Sequence, residues 1–117
     1  MGDPVVRFEI MGGDGEAMGR FYGELFGWRF ETVESSGGGY RLAQTDAARG
    51  IDGGIGSFPG VPSYVTVYVE VQDLDASVER ARALGATVVA PPREVAPGTR
   101  TAVFTDPDGH LVGMIAA

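Results

Sequence analysis

Apolar and polar residues alternate most clearly in the segment 64–71. Valines occupy every second position from 65 to 71, which is the period of a strand with one buried face. The segment Val5–Ile10 alternates in the same way, with Arg7 and Glu9 on its polar side. The pattern therefore predicts two strands, each with one apolar and one polar face.

Each predicted strand leads into an amphipathic helix. Asp14 and Asp73 are the expected N-caps, because a short acidic side chain accepts hydrogen bonds from the first turn of a helix. Gly27 and Gly85 are expected to end the helices. The apolar stripes predicted to face the strands are Met18, Phe21, Tyr22 and Leu25 in the first helix, and Leu74, Val78, Ala81 and Leu84 in the second.

The chain repeats itself. The caps Asp14 and Asp73 lie 59 residues apart, and the glycines Gly27 and Gly85 lie 58 apart, which gives a period of roughly 60 residues. Three short strands are expected after each helix, at 28–33, 40–45 and 53–58, and at 87–90, 101–105 and 111–115. A loop is expected to open at Pro91-Pro92, and a hairpin turn at Asp106-Pro107-Asp108-Gly109.

The predicted fold is α+β: two tandem βαβββ modules whose mixed sheets are covered by helices on the outside. We expect a single domain over residues 1–117, with module one at about 4–58, a linker at 59–62 and module two at about 63–117. The linker Pro59-Gly60-Val61-Pro62 is too short to separate independent domains.

Composition narrows the range of partners. With a net charge of −7 and nine scattered basic residues, the chain is a poor candidate for binding nucleic acid or an anionic membrane. The chain has no cysteine, so disulfides and thiolate metal sites are excluded. No apolar run has membrane-spanning length and the first residues do not read as a secretion signal, so a cytoplasmic protein is expected.

Three segments resemble the vicinal oxygen chelate superfamily, which includes glyoxalase I, extradiol dioxygenases and bleomycin-resistance proteins. They are Phe21–Trp28, the strand-to-helix run Val69–Leu74 and the turn Thr105–Gly109. The resemblance covers essentially the whole chain. It implies two βαβββ modules that curve into a cup for a small ligand, often with a divalent metal, and it implies a homodimer.

The resemblance also indicates where a metal would bind. In metal-using members, His, Glu or Gln side chains from the first and last strands of each module are the ligands. Three of these positions match Arg7, Thr66 and Gly113, and the fourth falls in the Gly53–Gly56 run. A guanidinium repels a cation and glycine has no side-chain donor, so we predict no metal and no other cofactor. A divalent metal on substitute ligands such as Glu9, Glu70 and His110 is the alternative.

Several residues are candidates for binding a ligand. Arg7 could clamp a carboxylate or phosphate of the ligand, or Arg7 and Glu9 could pair with each other or with Glu70. The polar face of the second module, formed by Tyr64, Thr66, Tyr68 and Glu70, suits an aromatic or cationic molecule, and it would equally suit a dimer interface. Trp28 could wall the cup with Tyr40 or simply supply buried area. The full predicted set is Arg7, Glu9, Trp28, Tyr64, Thr66, Tyr68 and Glu70.

Two other features do not indicate a catalytic or phosphate-binding site. The lone His110 has no sequence partner for metal binding or nucleophilic catalysis, and no catalytic residue is identified. The Gly53–Gly56 run lacks the context of a phosphate loop and is expected to let a ligand or a neighbouring backbone approach closely.

The leading functional hypothesis is metal-independent binding or sequestration of a small aromatic or cationic molecule by a glyoxalase/bleomycin-resistance-like homodimer. The alternatives are a lyase, isomerase or dioxygenase of the same superfamily, and an accessory module that only mediates assembly. The sequence leaves open the ligand, any catalysis, and whether the modules pair within one chain or across a dimer.

Overall fold

The structure is a computed structural model that describes residues 2–58, 60 and 62–117, apart from the side chain of Ser35. The first half contains β1 (Val5–Met11), α1 (Gly15–Phe26), β2 (Arg29–Thr32), a 3-10 turn (Glu34–Ser36), β3 (Tyr40–Gln44) and β4 (Asp52–Gly56). The second half contains β5 (Tyr64–Val71), α2 (Leu74–Ala83), β6 (Thr87–Ala96), β7 (Thr99–Thr105) and β8 (Leu111–Ala116). The predicted α+β class and the repeated βαβββ order are confirmed.

The chain forms two compact units. Residues 7–65 form one, here called the N-terminal unit, and residues 1–6 together with 66–117 form the other, the C-terminal unit. The start of β1 thus belongs to the C-terminal unit, where the Glu70 N–H donates to the Pro4 carbonyl at 2.9 Å. In the predicted linker, Pro59 and Val61 lie outside the described residues. The expectation of a single domain stays a prediction.

In the N-terminal unit the strands lie in the order β2-β3-β4-β1, with β1 and β4 parallel and the other neighbours antiparallel. The Asp14 carboxylate accepts the Ala17 N–H at 3.0 Å and begins α1, as predicted. Gly27 ends the helix with a φ of +73°. The two helix boundaries of α1 are therefore set by the side chain and backbone chemistry expected from the sequence.

Helix α1 does not use the predicted apolar stripe throughout. Phe21 and Leu25 are 58% and 59% exposed, so their assignment to the core was wrong. The helix instead places Gly15 against the sheet, where its N–H donates to the Ser57 hydroxyl at 3.1 Å. A Cβ on Gly23 would lie 3.5 Å from the Phe30 ring. Glycines about two turns apart allow this close approach, and Phe21 and Leu25 point outward.

The C-terminal unit has the strand order β5-β8-β7-β6, with β5 and β8 parallel. Asp73 caps α2 by accepting the Ala76 N–H at 3.0 Å, and the helix ends at Ala83. The core of the unit consists of Val71, Leu74, Val78 and Ala102. Leu84, the last residue of the predicted stripe, is 67% exposed, because it lies beyond the final helical turn.

Strand β5 is only partly as predicted. Val69 and Val71 pack in the core of the C-terminal unit, whereas Val65 is 69% exposed and Val67 is 37% exposed. Thr66, on the polar side, is 5% exposed. Its hydroxyl donates to the Leu111 carbonyl at 2.6 Å, which offsets the cost of burying a polar group. The alternation of apolar and polar residues predicted the strand, but it did not show which residues of each face are buried.

The loop predicted at Pro91-Pro92 is wrong. Both residues lie inside β6, which continues to Ala96 and pairs with β7. Strand β6 is at the edge of its sheet, so a missing N–H can face away from the ladder, and the register shifts on both sides of Ala90 accommodate the irregularity. The hairpin turn is confirmed: Asp106 accepts the N–H groups of Asp108 and His110 at 2.9 Å each.

Candidate ligand-binding site

The polar face of β1 carries a hydrogen-bonded group of side chains. The Tyr40 hydroxyl donates to Oε2 of Glu9 at 3.0 Å, and the Tyr64 hydroxyl donates to Oε1 of Glu9 at 3.2 Å. Nη2 of Arg7 donates to the Tyr40 hydroxyl at 3.3 Å. We call Arg7, Glu9, Tyr40 and Tyr64 the Glu9 cluster; all four residues are half-buried and belong to the N-terminal unit. The Tyr40 hydroxyl thus links Arg7 to Glu9.

Glycines in β4 make room for the central tyrosine. A Cβ on Gly54 would overlap the Tyr40 hydroxyl, and a Cβ on Gly56 would lie 2.8 Å from Cδ1 of Tyr40. Gly54 is also the register partner of Glu9, so a ring that crosses Gly54 brings its hydroxyl to the carboxylate. What approaches the Gly53–Gly56 run most closely here is therefore the Tyr40 ring, in addition to Phe8 over Gly53 and Met11 beside Gly56.

The environment keeps both phenols protonated. Burial raises the pKa of Tyr40 to about 12, and the neighbouring charge of Glu9 adds to the shift. Burial likewise raises the pKa of Tyr64 to about 12, with the Glu9 charge acting in the same direction. Near neutral pH both phenols are therefore neutral hydroxyl donors to Glu9, and neither tyrosine is suited to act as a base.

Trp28 lies on the face of the N-terminal unit's sheet that is opposite to the Glu9 cluster. Its ring centroid is 5.1 Å from that of Phe8, 5.5 Å from Tyr22 in a stacked arrangement, and 5.3 Å from Phe26. Phe8 stands between Arg7 and Glu9 in β1, so its side chain points to the opposite face. Trp28 therefore packs beneath α1 and does not stand with Tyr40 as a wall of the predicted site.

The polar face of β5 provides the remaining predicted residues. Tyr64 belongs to the Glu9 cluster, whereas the Thr66 hydroxyl is taken by the Leu111 carbonyl. The Tyr68 ring covers Gly113, because a Cβ on Gly113 would overlap that ring. Glu70 is half-buried further along the strand. In the C-terminal unit, Thr66, Tyr68 and Glu70 share the face that the sequence predicts, and their contact with a ligand stays a prediction.

Sequence reasoning missed the central role of Tyr40. It named this residue as a possible wall but left it out of the predicted binding set. The signal in the sequence was the Gly53–Gly56 run, whereas the structure alone shows that Tyr40 lies opposite Gly56 and beside Gly54. Glycine inside a strand frequently marks a close approach by another group.

Comparison with known proteins assigns the family. The model of the glyoxalase-like domain matches residues 10–115. The chain belongs to this family. A protein named glyoxylase CFP32 from Mycobacterium tuberculosis is 31% identical over 108 residues, and the anthracycline biosynthesis protein DauV from a Streptomyces species is 33% identical over 117. The matches cover 86% and 87% of this chain but only 41% and 42% of those proteins, so the chain spans about two-fifths of their length.

Solved structures agree on the fold. Methylmalonyl-CoA epimerase from Mycobacterium tuberculosis aligns with a TM-score of 0.67 at 17% identity, over 96% of this chain and 86% of that one. The hypothetical protein BH1468 from Bacillus halodurans aligns with a TM-score of 0.73 at 12% identity, over 100% and 96%. Identities this low support the shared fold and carry no assignment of activity.

The donor set of this chain does not fit the metal site implied by the superfamily resemblance. The Arg7 guanidinium is a hydrogen-bond donor and not a metal ligand, and it donates to Tyr40. Thr66 donates to a backbone carbonyl, and tyrosine rings cover Gly54 and Gly113. Within residues 2–58, 60 and 62–117, no group of three or more His, Cys, Asp or Glu side chains is arranged to hold a metal ion. These four positions therefore lack the oxygen and nitrogen ligands that a divalent metal needs.

His110 is engaged locally. Its Nδ1 lies 3.1 Å from Oδ2 of Asp106, at the exposed end of the β7–β8 hairpin. The backbone N–H of His110 is the main reason that the pKa of Asp106 is lowered. This arrangement matches a turn-stabilising role for both residues.

In the part of the chain that the structure describes, no helix is long and apolar enough to cross a membrane.

Proposed function

We propose that this chain is a small-molecule binding module that captures an aromatic, cationic ligand at the Glu9 cluster without a metal ion. The observation that carries the proposal is the Glu9 carboxylate held by two neutral tyrosine hydroxyls, at 3.0 Å and 3.2 Å. A carboxylate fixed in this way attracts a cation from a defined direction. The adjacent phenol rings add a π-face, which favours an aromatic or alkylammonium group.

Arg7 adds a second recognition element. Among the described residues its guanidinium donates to the Tyr40 hydroxyl through Nη2, and a guanidinium carries further N–H groups that can donate to a ligand. A carbonyl or carboxylate oxygen of the ligand suits these donors. The proposed ligand therefore combines a ring, a positive group near Glu9 and an oxygen acceptor near Arg7.

Capture accounts for the site better than proton transfer. The two phenols have pKa values near 12 and serve as donors rather than bases. Binding alone lowers the free concentration of the ligand, and no reacting bond is required. The relative named for anthracycline biosynthesis agrees with this proposal, because anthracyclines are aromatic compounds.

An enzyme is the second candidate, supported by the relative named as a glyoxylase. In that case a lyase, isomerase or dioxygenase reaction would use Glu9 as the acid–base group. Because the chain spans about two-fifths of that relative, its activity transfers to this chain only as a proposal. A homodimer is likewise proposed from the superfamily resemblance.

Calorimetric titration with phenyltrimethylammonium tests the proposal, with benzyl alcohol and benzoate as uncharged and anionic counterparts. We expect the cation to bind most tightly, and Glu9→Gln to weaken it by about tenfold, the factor that corresponds to about 1.4 kcal/mol. The matched control is Glu31→Gln, which changes an exposed glutamate of β2. Tight binding by Glu9→Gln would place the ligand elsewhere.

The metal-free part of the proposal has its own measurement. Titrations with and without EDTA should give the same affinity, and metal analysis of the purified chain should show no stoichiometric transition metal. A bound metal that is lost together with ligand affinity would support the enzymatic candidate instead.

A further inference from the structure

A cavity of about 360 Å³ lies between α2 and the sheet of the C-terminal unit. It is lined by Asp3, Val69, Val71, Ser77, Arg80, Ala81, Leu84, Ala86, Phe104, Pro107 and Met114. All of these residues belong to the C-terminal unit, so the cavity shares no residue with the Glu9 cluster. Ligand pockets commonly have volumes of about 300–1,000 Å³, and this one is at the small end of that range.

The internal repeat explains why this space is open. The offset of 59 residues between the caps places Ala81 at the position of Tyr22. The offset of 58 between the helix-ending glycines places Ala86 at the position of Trp28. In the N-terminal unit, Tyr22 and Trp28 stack with ring centroids 5.5 Å apart. The C-terminal unit has two alanines instead of these rings, and both alanines line the cavity.

The lining suits an uncharged ligand. Val69, Val71, Phe104 and Met114 contribute apolar side chains, which gain when apolar surface replaces water. The charged residues at the cavity are Asp3 and Arg80, which carry opposite signs. A single charge on the ligand would be attracted by one and repelled by the other, and it would lose hydration on entry.

We propose that this cavity, the α2 cavity, binds a compact neutral apolar molecule about the size of the two missing rings. The ligand enters beside Leu84, which lines the cavity and is 67% exposed. The site is independent of the function proposed for the Glu9 cluster.

Methionine methyl groups report the location of binding directly. Met114 lines the α2 cavity, whereas Met11 and Met18 lie in the N-terminal unit. On titration with indole, the NMR methyl signal of Met114 should shift in a saturable manner, and the signals of Met11 and Met18 should stay unchanged. An unchanged Met114 signal at saturating indole would overturn the proposal without the need for any variant.

Refilling the cavity is the complementary test. Ala81→Tyr introduces the side chain that occupies the equivalent position in the N-terminal unit, and it should weaken indole binding by about tenfold or more. Ala83→Tyr makes the same change at an exposed position of α2 that does not line the cavity, and it should leave the affinity unchanged. Equal affinities for the two variants would contradict the assignment.

Charged analogues test the chemical class. Tryptamine and indole-3-acetate carry the same ring with a positive or a negative group, and both should bind more weakly than indole. A preference for either charged analogue would overturn the conclusion that the ligand is neutral.

Discussion

The two units share one βαβββ order but fill the space between helix and sheet in different ways. In the N-terminal unit, aromatic rings of Phe8, Tyr22 and Trp28 occupy this layer, and the exposed Phe26 packs against its margin. In the C-terminal unit, aliphatic side chains and alanines leave a cavity of about 360 Å³. The repeat therefore preserves caps, glycine stops and strand order, while the packing of each unit has diverged.

The polar faces show a second contrast. Gly54 and Gly113, which lie 59 residues apart, are each covered by a tyrosine. Tyr40 reaches Gly54 from β3 and its hydroxyl meets Glu9, whereas Tyr68 reaches Gly113 from β5, its register partner strand. In both units a tyrosine ring lies over a glycine. The ring comes from a different neighbouring strand in each unit, and only in the N-terminal unit does its hydroxyl bond to Glu9.

Removing the central ring of the N-terminal unit should have the largest effect on stability. Trp28→Ala removes the ring that contacts Phe8, Tyr22 and Phe26, and we expect a loss of about 3 kcal/mol in the free energy of unfolding. Denaturant unfolding measures this loss. Val89→Ala, a truncation at a 58% exposed position of β6, is the control and should cost much less.

Adding a methyl group under the rings tests the glycine positions. Gly54→Ala should displace Tyr40, destabilise the protein by about 1–3 kcal/mol and weaken ligand binding at the Glu9 cluster. Gly113→Ala should displace Tyr68 with a comparable loss of stability. Binding that survives Gly54→Ala would show that the position of Tyr40 does not matter for recognition.

Removing one hydroxyl from the Glu9 cluster should have a smaller effect. Tyr40→Phe keeps the ring over Gly54 but breaks the link between Arg7 and Glu9, and should cost about 1 kcal/mol of stability. Tyr22→Phe, in the aromatic layer of the same unit, is the matched control. We expect a weaker affinity for phenyltrimethylammonium only in the Tyr40 variant.

The pH dependence of stability should separate the cluster tyrosines from free ones. Their pKa values rise from 10.0 to about 12 on folding, so the folded protein keeps these protons to higher pH than the unfolded chain does. The resulting stabilisation is fully present below pH 10 and is lost as the pH rises toward 12. Ultraviolet titration of the phenolate absorbance should show late ionisation, which Glu9→Gln should shift to lower pH.

The sequence predicted the elements that depend on local chemistry. The acidic caps, the glycine stops, the hairpin at Asp106 and the order of strands follow from short-range rules, and the structure agrees with them. Which face of α1 meets the sheet was not predictable by hydrophobicity, because glycines form the contact and Phe21 points outward. Burial depends on neighbours that are distant in sequence.

The candidate site was predictable only in part. Alternation placed Arg7 and Glu9 on one face, and the structure joins them through Tyr40. The partner came from β3, whose register with the glycines of β4 is a tertiary property. Trp28 was open to two interpretations, since a strand-end aromatic can point to either face of its sheet until its contacts are known.

The two prolines within β6 affect how copies of the chain can associate. An edge strand normally exposes N–H and carbonyl groups that can template pairing with another chain. Pro91 and Pro92 are neighbours, so one of them removes a donor from the open edge and the other from the side that faces β7, and the register shifts nearby interrupt the regular spacing. Continuous strand-to-strand extension along β6, the first step toward fibrous aggregation, is therefore disfavoured.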